Sequence, residues 1–584
     1  MSELKTPWME HYGDVRFHLE YPKTTMAQQV LKTASENPDE VAIAYMGKNI
    51  KYKELASRIQ STAKAFVALG VKPDEMVTIC LPNCPQAVYA MYALNLIGAI
   101  ASMIHPLSSE GEITQYLDQV SSKVAITLDL FKYKFDEVVK RHPLEHLIIC
   151  SAVDELNPVT KVGYSALMTV KKKTVHLDKN DSVVLSWKDF SKGANSVNDY
   201  KKSEKTAYET AIILFSGGTT GTTKGIMLSS YNFNALAYQT LEMAHGVDFS
   251  MIKVLAAMPI FHGFGLGICI HTFLAIGGTS ILVPRFNVKS YAALIKKKKP
   301  NYIAGVPTLY EALIRTDYLD GVDLSFLKGV FSGGDSLPIE LKKRFDAYLE
   351  DHGSKVHVRE GYGTTECVTA SCLTPYCEER EGSIGLPFPD TYYKICKPGT
   401  TQECPYGEEG EICLTGPSLM LGYLNNPEET AQTLRQHDDG ATWLHTGDLG
   451  IMDKDGFIYF KQRLKRMIIT SGYNVYPSQL ENIIDAHPAV HMSCVIGVKD
   501  SYKMQKIKAF VVLKNGYVAS EDIRQQLYDY CKKNIAKYAM PYEIEFRDSL
   551  PKTLVGKIAY TVLEKETEEK ERMKEELKNQ NQAG

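Results

Sequence analysis

Apolar, strand-like runs alternate with amphipathic stretches from residue 39 to residue 112. VAIAYMG followed by KNIKY predicts a hairpin, residues 53–69 a helix, MVTICLP a buried strand, residues 87–96 a second helix and GAIASMI another strand. VAITL and HLIICS carry the rhythm on. Such alternation predicts a parallel or mixed sheet covered by helices, because each element has an apolar side to bury. The pattern lapses between residues 171 and 206, which are polar and aperiodic and read as a connecting excursion. It resumes with AIIL at 211–214 and a helix predicted over 232–245. Much later, SCVIGVKD, KAFVVLK and a helical run over 521–537 suit a small separate α/β domain. Two charge-free stretches, 87–104 and 254–284, are long enough to raise a membrane span. Asn95 and Gly98 break the first, and Pro259, five glycines, His262 and His271 break the second, so both read as buried interior.

Composition narrows the class. With 584 residues, 44% of them hydrophobic, the chain divides into more than one domain, each with a sizeable core. A net charge of −3 gives no reason to expect nucleic acid. The lysine runs 171–173 and 296–299 read as solvated helix ends or loops, and peripheral membrane contact stays open. Twelve cysteines are scattered without a C-x-x-C pair, and the spacing of Cys367, Cys372 and Cys377 does not match a zinc site. Reduced thiols in the cytoplasm are the economical reading. The charged N-terminus has no apolar core of the kind a secretory signal needs.

The chemistry centres on FSGGTTGTTKG, residues 215–225. An apolar strand that empties into Ser216, Gly217, Gly218, Thr219, Thr220 and Gly221 exposes many backbone N–H groups and hydroxyls, and Lys224 adds a positive charge. That is a cradle for phosphate oxygens. It is not the Walker A loop, because Thr223 precedes the lysine and Gly225 follows it. Five more motifs follow in order. PIFHGFGLG carries His262, which taken alone could equally be a core histidine. GVFSGGDSLP, residues 329–338, is a strand and a turn with Gly333, Gly334 and Asp335. GYGTTE gathers Tyr362, Gly363, Thr364, Thr365 and Glu366 in six residues. WLHTGDLG places Asp448 in a turn, with Arg463 beyond it, and LPKTLVGKIAY ends on Lys557 and its neighbours.

Together, over roughly residues 25–565, these motifs resemble the adenylate-forming acyl-CoA synthetase superfamily, including its medium- and long-chain fatty acid and coumarate ligases. This chain departs from the family at Gly217, Thr223, Ser230, Asp335-Ser336 and Ala559-Tyr560. The resemblance implies an α/β fold: a large N-terminal domain of mixed sheets and helices, residues 1–462, and a small mobile α/β domain, residues 463–584. It implies that the 216–221 loop and Lys224 hold the departing phosphates of ATP. Gly333, Gly334, Asp335, Tyr362, Gly363 and Thr364 then flank the adenine, and Thr365 donates to phosphate. Glu366 helps hold Mg2+, while Asp448 and Arg463 hold the ribose. By the same resemblance Lys465 is the hinge, Gly472 lines the coenzyme A path and Lys557 is the catalytic lysine.

His262 borders the acyl pocket, and its place is taken by aspartate in amino-acid-activating relatives, so an amino acid is disfavoured. Gly363 stands where acetate-specific relatives have tryptophan, which implies an open pocket and a larger acid. The implied reaction joins a carboxylic acid to coenzyme A through an acyl-AMP, with a fatty acid as first choice and an aryl or polycyclic acid as alternative. Other acceptable classes are a different adenylating enzyme, either an acyl-AMP ligase that loads a carrier protein or a luciferase-like oxidase, and a silent acyl or nucleotide binder. The 27 residues after Lys557 are too few for a carrier domain, which favours a free-standing ligase over a modular synthetase; a monomer or homodimer is expected.

Overall fold

The computed structural model describes the chain apart from residues 1–3, 152, 157–182, 201–202, 217–222, 245–251, 471–472, 501–503, 554–556 and 583–584. A nine-stranded and an eight-stranded sheet form most of the molecule, with a five-stranded sheet over residues 392–463 and another beyond residue 467. In the nine-stranded sheet, Lys253–Ala256, Thr279–Leu282, Tyr302–Gly305, Gly329–Ser332 and Val358–Tyr362 run parallel. Their carboxyl ends therefore emerge along one edge, where an open α/β sheet binds ligands.

The helices follow from the pattern. Thr25 and Gln28 close a capping box on Met26–Glu36, and Ser109 and Glu112 do the same for Glu110–Val120. The helices predicted over 53–69, 87–96 and 232–245 appear as Tyr52–Ala68, Pro85–Ile97 and Ser230–Ala244. Every residue of Pro85–Ile97 is buried, which is why it carries no charge, and Gly98 ends it with φ +80. The second charge-free stretch is a π-helix, Phe264–Thr272, between two buried strands. No helix among the described residues is long and apolar enough to cross a membrane.

The polar stretch 171–206 is not simply a connection. In its described part Val184–Ser186 extends the eight-stranded sheet beside His146–Cys150, and Trp187–Lys192 is a short helix. Two rings decide this: Trp187 and Phe190 are buried, and Phe190 packs 4.9 Å from the Phe66 ring. Local polarity hides such an anchor, since two aromatics carry most of the buried area.

One continuous core reaches from Trp8 to Ile458, and separate clusters fill the C-terminal sheet from Ile468 onward. The chain passes between them through a single 3-10 turn, Leu464–Arg466, which contains Lys465.

Candidate active site

The parallel strands Gly329–Ser332 and Val358–Tyr362 are neighbours, so the turns that follow them, 333–335 and 363–366, lie side by side. The approach is close enough that a Cβ at Gly333 would sit 3.2 Å from the Gly361 carbonyl oxygen. Gly334 has φ +82, a conformation glycine adopts without strain.

Asp448 and Arg463 are fifteen residues apart, yet they are cross-strand partners in one antiparallel pair. The Tyr362 hydroxyl donates to Asp448 Oδ2 at 2.7 Å, and Arg463 Nε lies 3.4 Å from Oδ1. Burial pushes the Asp448 carboxyl up, and Arg463 pulls against it. Asp448 Oδ1 accepts no hydrogen bond from a described residue although it is buried. An acceptor in that state is prepared for a hydroxyl-bearing ligand.

Behind Asp448 stands a support that no sequence motif announced. Glu411 Oε1 accepts from Gly447 N at 3.0 Å, and its Oε2 bonds His445 Nδ1 at 2.8 Å. His445 Nε2 meets His437 Nε2 at 2.9 Å. With Cys413 nearby, Glu411 and His445 form a buried group of metal-ligand type, but their bonds are spent fixing the backbone at Gly447 next to Asp448, which lies within the strand Thr442–Met452 and not in the turn the sequence predicts.

Glu366 is tied to Lys224 through a residue the motifs did not include. Tyr423 donates its hydroxyl to Glu366 Oε1 at 2.8 Å, and Lys224 Nζ sits 4.9 Å over the Tyr423 ring while pairing with Glu429. The strand Gly422–Tyr423 reaches that place by pairing with Ile226 and Met227. Ser216 faces Lys224 across the hairpin. The remaining loop residues Gly217, Gly218, Thr219, Thr220 and Gly221 lie outside the described residues, as does Gly472. Thr364 and Thr365 open the short turn Thr365–Cys367, and the Thr365 hydroxyl makes no hydrogen bond to a described residue.

The C-terminal part delivers Lys557 into the same crevice. Its segment is closed by Thr553 N donating to Lys557 O at 2.7 Å and Lys557 N donating to Thr553 Oγ1 at 3.1 Å. The Lys557 Cε lies 3.8 Å from where a Cβ on Gly334 would be. Burial draws the ammonium below the ordinary lysine value, while Asp335 and Asp448 favour its charge and Arg463 opposes it. Asp335 stays open to solvent at the crevice mouth, yet desolvation by its neighbours raises its carboxyl, against the pull of Lys557 and Arg466. His262 is pushed down to about 3, first by burial and then by Lys557, so it is a neutral ring at working pH. Arg466, in the turn between the two parts, pairs with Glu481 and stacks 4.8 Å over Tyr560.

Gly363 has a different reason from the one the sequence offered. A Cβ there would lie 1.7 Å from the Thr369 carbonyl oxygen. The glycine thus lets the 363–369 backbone fold onto itself, and the room is filled by the chain rather than left open. Gly263 meets Val368 in the same way, also at 1.7 Å. Gly363→Ala should consequently destabilise the protein by about 1–3 kcal/mol or more, because backbone must move to admit it. Gly111→Ala, in a helix with open space around it, is the control and should be neutral or stabilising. Equal melting temperatures for the two variants would contradict the packing argument.

A small apolar cavity lies further along the π-helix, walled by Leu241, Val254, Ile268, Phe273, Tyr302 and Phe331, with no charged residue lining it among the described residues. Phe264, the first residue of that helix, faces Gly333, so the cavity starts within about two helical turns of the crevice.

Comparison with known proteins agrees with this arrangement. A family model described as AMP-binding enzyme matches residues 30–424, and one described as AMP-binding enzyme C-terminal domain matches 479–557. A long-chain-fatty-acid–CoA ligase of Bacillus subtilis is 35% identical, over 97% of this chain and 99% of that protein. A probable 4-coumarate–CoA ligase 3 of Dictyostelium discoideum is 29% identical over 94% and 97%. Among solved structures, ATP-bound MatB from Rhodopseudomonas palustris superposes with a TM-score of 0.76 at 25% identity, covering 93% of this chain and 99% of that one. The anthranilate CoA ligase AuaEII, solved with anthranoyl-AMP, gives 0.78 at 24% identity over 94% and 98%, and speaks for the fold alone.

Proposed function

The chain belongs to the AMP-binding enzyme family and is an acyl-CoA ligase that works through an acyl-adenylate, and from that premise we propose that its acid is a medium- or long-chain fatty acid, activated in the cytoplasm. The observation that carries the choice of acid is the apolar lining of the small cavity beside the π-helix, about 20 Å³ in this state, which an alkyl chain would enter by widening it. An alkyl chain gains by leaving water for such a wall, at roughly 0.8 kcal/mol per buried methylene. The B. subtilis relative's name points the same way.

In this reading a carboxylate oxygen attacks the α-phosphorus of ATP and the bond to pyrophosphate breaks. The coenzyme A thiolate then attacks the acyl carbon and expels AMP. Tyr362 lies along the adenine with Gly333, Gly334, Asp335, Gly363 and Thr364, and Asp448 with Arg463 takes the ribose hydroxyls. Thr365 has a hydroxyl free for phosphate, and Ser216, Lys224 and the 217–221 loop take the phosphates that leave. Glu366 fits Mg2+, since a carboxylate oxygen remains beyond the one that accepts from Tyr423. The ion would neutralise phosphate charge there. Neutral His262 borders the acyl group without offering a competing charge. Lys465 serves as the hinge and Gly472 as part of the coenzyme A path.

A pyrophosphate-release and coenzyme A-consumption assay over saturated acids, coumarate, benzoate and a sterol-like acid tests the proposal. kcat/KM should rise with chain length by up to about fourfold per methylene while methylenes remain inside the cavity. Better turnover of an aryl or polycyclic acid would overturn the fatty acid assignment, and release without coenzyme A consumption would point to a carrier-protein acceptor.

A further inference from the structure

The chain as a whole is slightly acidic, yet residues 249–310 contain no Asp or Glu and seven Lys or Arg. Six of the seven lie on or beside one helix, Val288–Lys298: Arg285, Lys289 and Lys296 to Lys299. Tyr291, Ala292 and Ile295 bury its inner side. Arg285, Phe286, Lys289, Ala293, Lys296 and Lys297 are exposed, at the spacing that puts them on one outer face. None of these four cations pairs with a carboxylate among the described residues.

The helix itself does not need this charge. Lysines in its last turn suit the dipole, but Arg285 and Lys289 flank its N-terminal turn, where positive charge is unfavourable. Cations that oppose the local field and lack a partner in the fold are placed for an external anion. At the same end two apolar side chains point outward. Phe286 is 39% exposed and Met46 37%, and they follow the carboxyl ends of neighbouring strands Thr279–Leu282 and Val41–Tyr45. Cations in a row with apolar tips beside them match a headgroup layer over an acyl layer better than an acidic protein or a nucleic acid.

The C-terminal end of the helix lies over the strand that supplies part of the cavity wall. Lys298, half-buried and donating to Asn49 Oδ1 at 3.3 Å, is near Lys253, and the next residue of that strand, Val254, turns its side chain to the opposite face of the sheet, into the cavity wall. Lys253 N is also bonded to the side chain of Asn301, the residue before Tyr302 in that wall, at 2.9 Å.

We propose that the outer face of helix Val288–Lys298, with Arg285, Phe286 and Met46, docks on an anionic lipid bilayer and so brings the acyl cavity to the phase in which long-chain acids dissolve. Binding should depend on anionic headgroups and weaken with salt, because exposed charges are screened beyond about 8 Å at physiological ionic strength.

Co-sedimentation of the full chain with phosphatidylglycerol vesicles, against pure phosphatidylcholine, tests this. Wild type should partition to the anionic vesicles at low salt and be released at high salt. The combined variant Arg285→Gln, Lys289→Gln, Lys296→Gln and Lys297→Gln should bind at least about tenfold more weakly. Because all four side chains are exposed, its melting temperature should match wild type. Equal binding to neutral vesicles, or undiminished binding by the variant, overturns the proposal. So does retention on heparin without vesicle binding, which would assign the face to an acidic macromolecule. This vesicle measurement holds whatever acid the enzyme activates. If the fatty acid reading also holds, the variant should keep wild-type turnover of soluble octanoate and lose turnover of palmitate presented in anionic vesicles.

Discussion

Lys557→Ala should lower acyl-adenylate formation on the order of 10²–10³-fold while leaving thioester formation from supplied acyl-AMP largely intact. The ammonium enters a crevice bounded by Asp335, Asp448, Arg463 and His262, next to Gly334. There it can lie between two anions, the acid's carboxylate and the α-phosphate, that otherwise repel. The second step brings no such pair together, so it should lose little. Single-turnover measurement of pyrophosphate release, alongside acyl-CoA formation from chemically made acyl-AMP, separates the two. An equal fall in both would rule out this role. Only the protonated lysine can act, and burial lowers its pKa. The alkaline limb of the adenylation profile should accordingly appear below the ordinary lysine range, and it should be absent from the residual rate of the alanine variant.

Asp448→Asn should raise the KM for ATP by about 10- to 100-fold, the worth of hydrogen bonds to a charged acceptor. Its buried Oδ1 has no donor among the described residues, and Tyr362 holds the other oxygen at 2.7 Å. The amide keeps the shape but removes the charge that Arg463 faces, so nucleotide binding should suffer more than kcat. Titration of ATP with the acid at saturation measures this. A variant with an unchanged KM for ATP and a low kcat would move Asp448 from nucleotide holding to the chemical step. Glu411 and His445 predict the direction of a weaker, indirect effect, because they fix the strand at Gly447 without meeting the nucleotide.

Much of this site could be read along the chain because the motifs are local. A glycine pair after a strand, as at Gly333-Gly334, or a ring beside hydroxyls and a carboxylate, as at 361–366, keeps its meaning wherever the strand is placed. The partners of those motifs could not be read in this way. Tyr423 joins Glu366 to Lys224 only because a two-residue strand pairs with Ile226 and Met227, and no periodicity marks so short an element. Gly363 misled for the same reason. A missing side chain looks like empty space in a sequence, and only the folded backbone reveals that the Thr369 carbonyl already fills it. The 171–206 stretch looked featureless because Trp187 and Phe190 gain their weight from distant contacts.

The sequence by itself determined the α/β class, the positions of the long helices, the ordered motifs and the charge imbalance of residues 249–310, since each depends on neighbours a few positions apart. The tertiary structure alone decided that Asp448 faces Arg463, that Lys557 reaches Asp335 and His262 from the C-terminal part, and that four cations, Arg285, Lys289, Lys296 and Lys297, share one outer face without a carboxylate partner among the described residues. Those relations join residues tens to hundreds of positions apart. They are set by strand pairing, core packing and burial, none of which has a local signature.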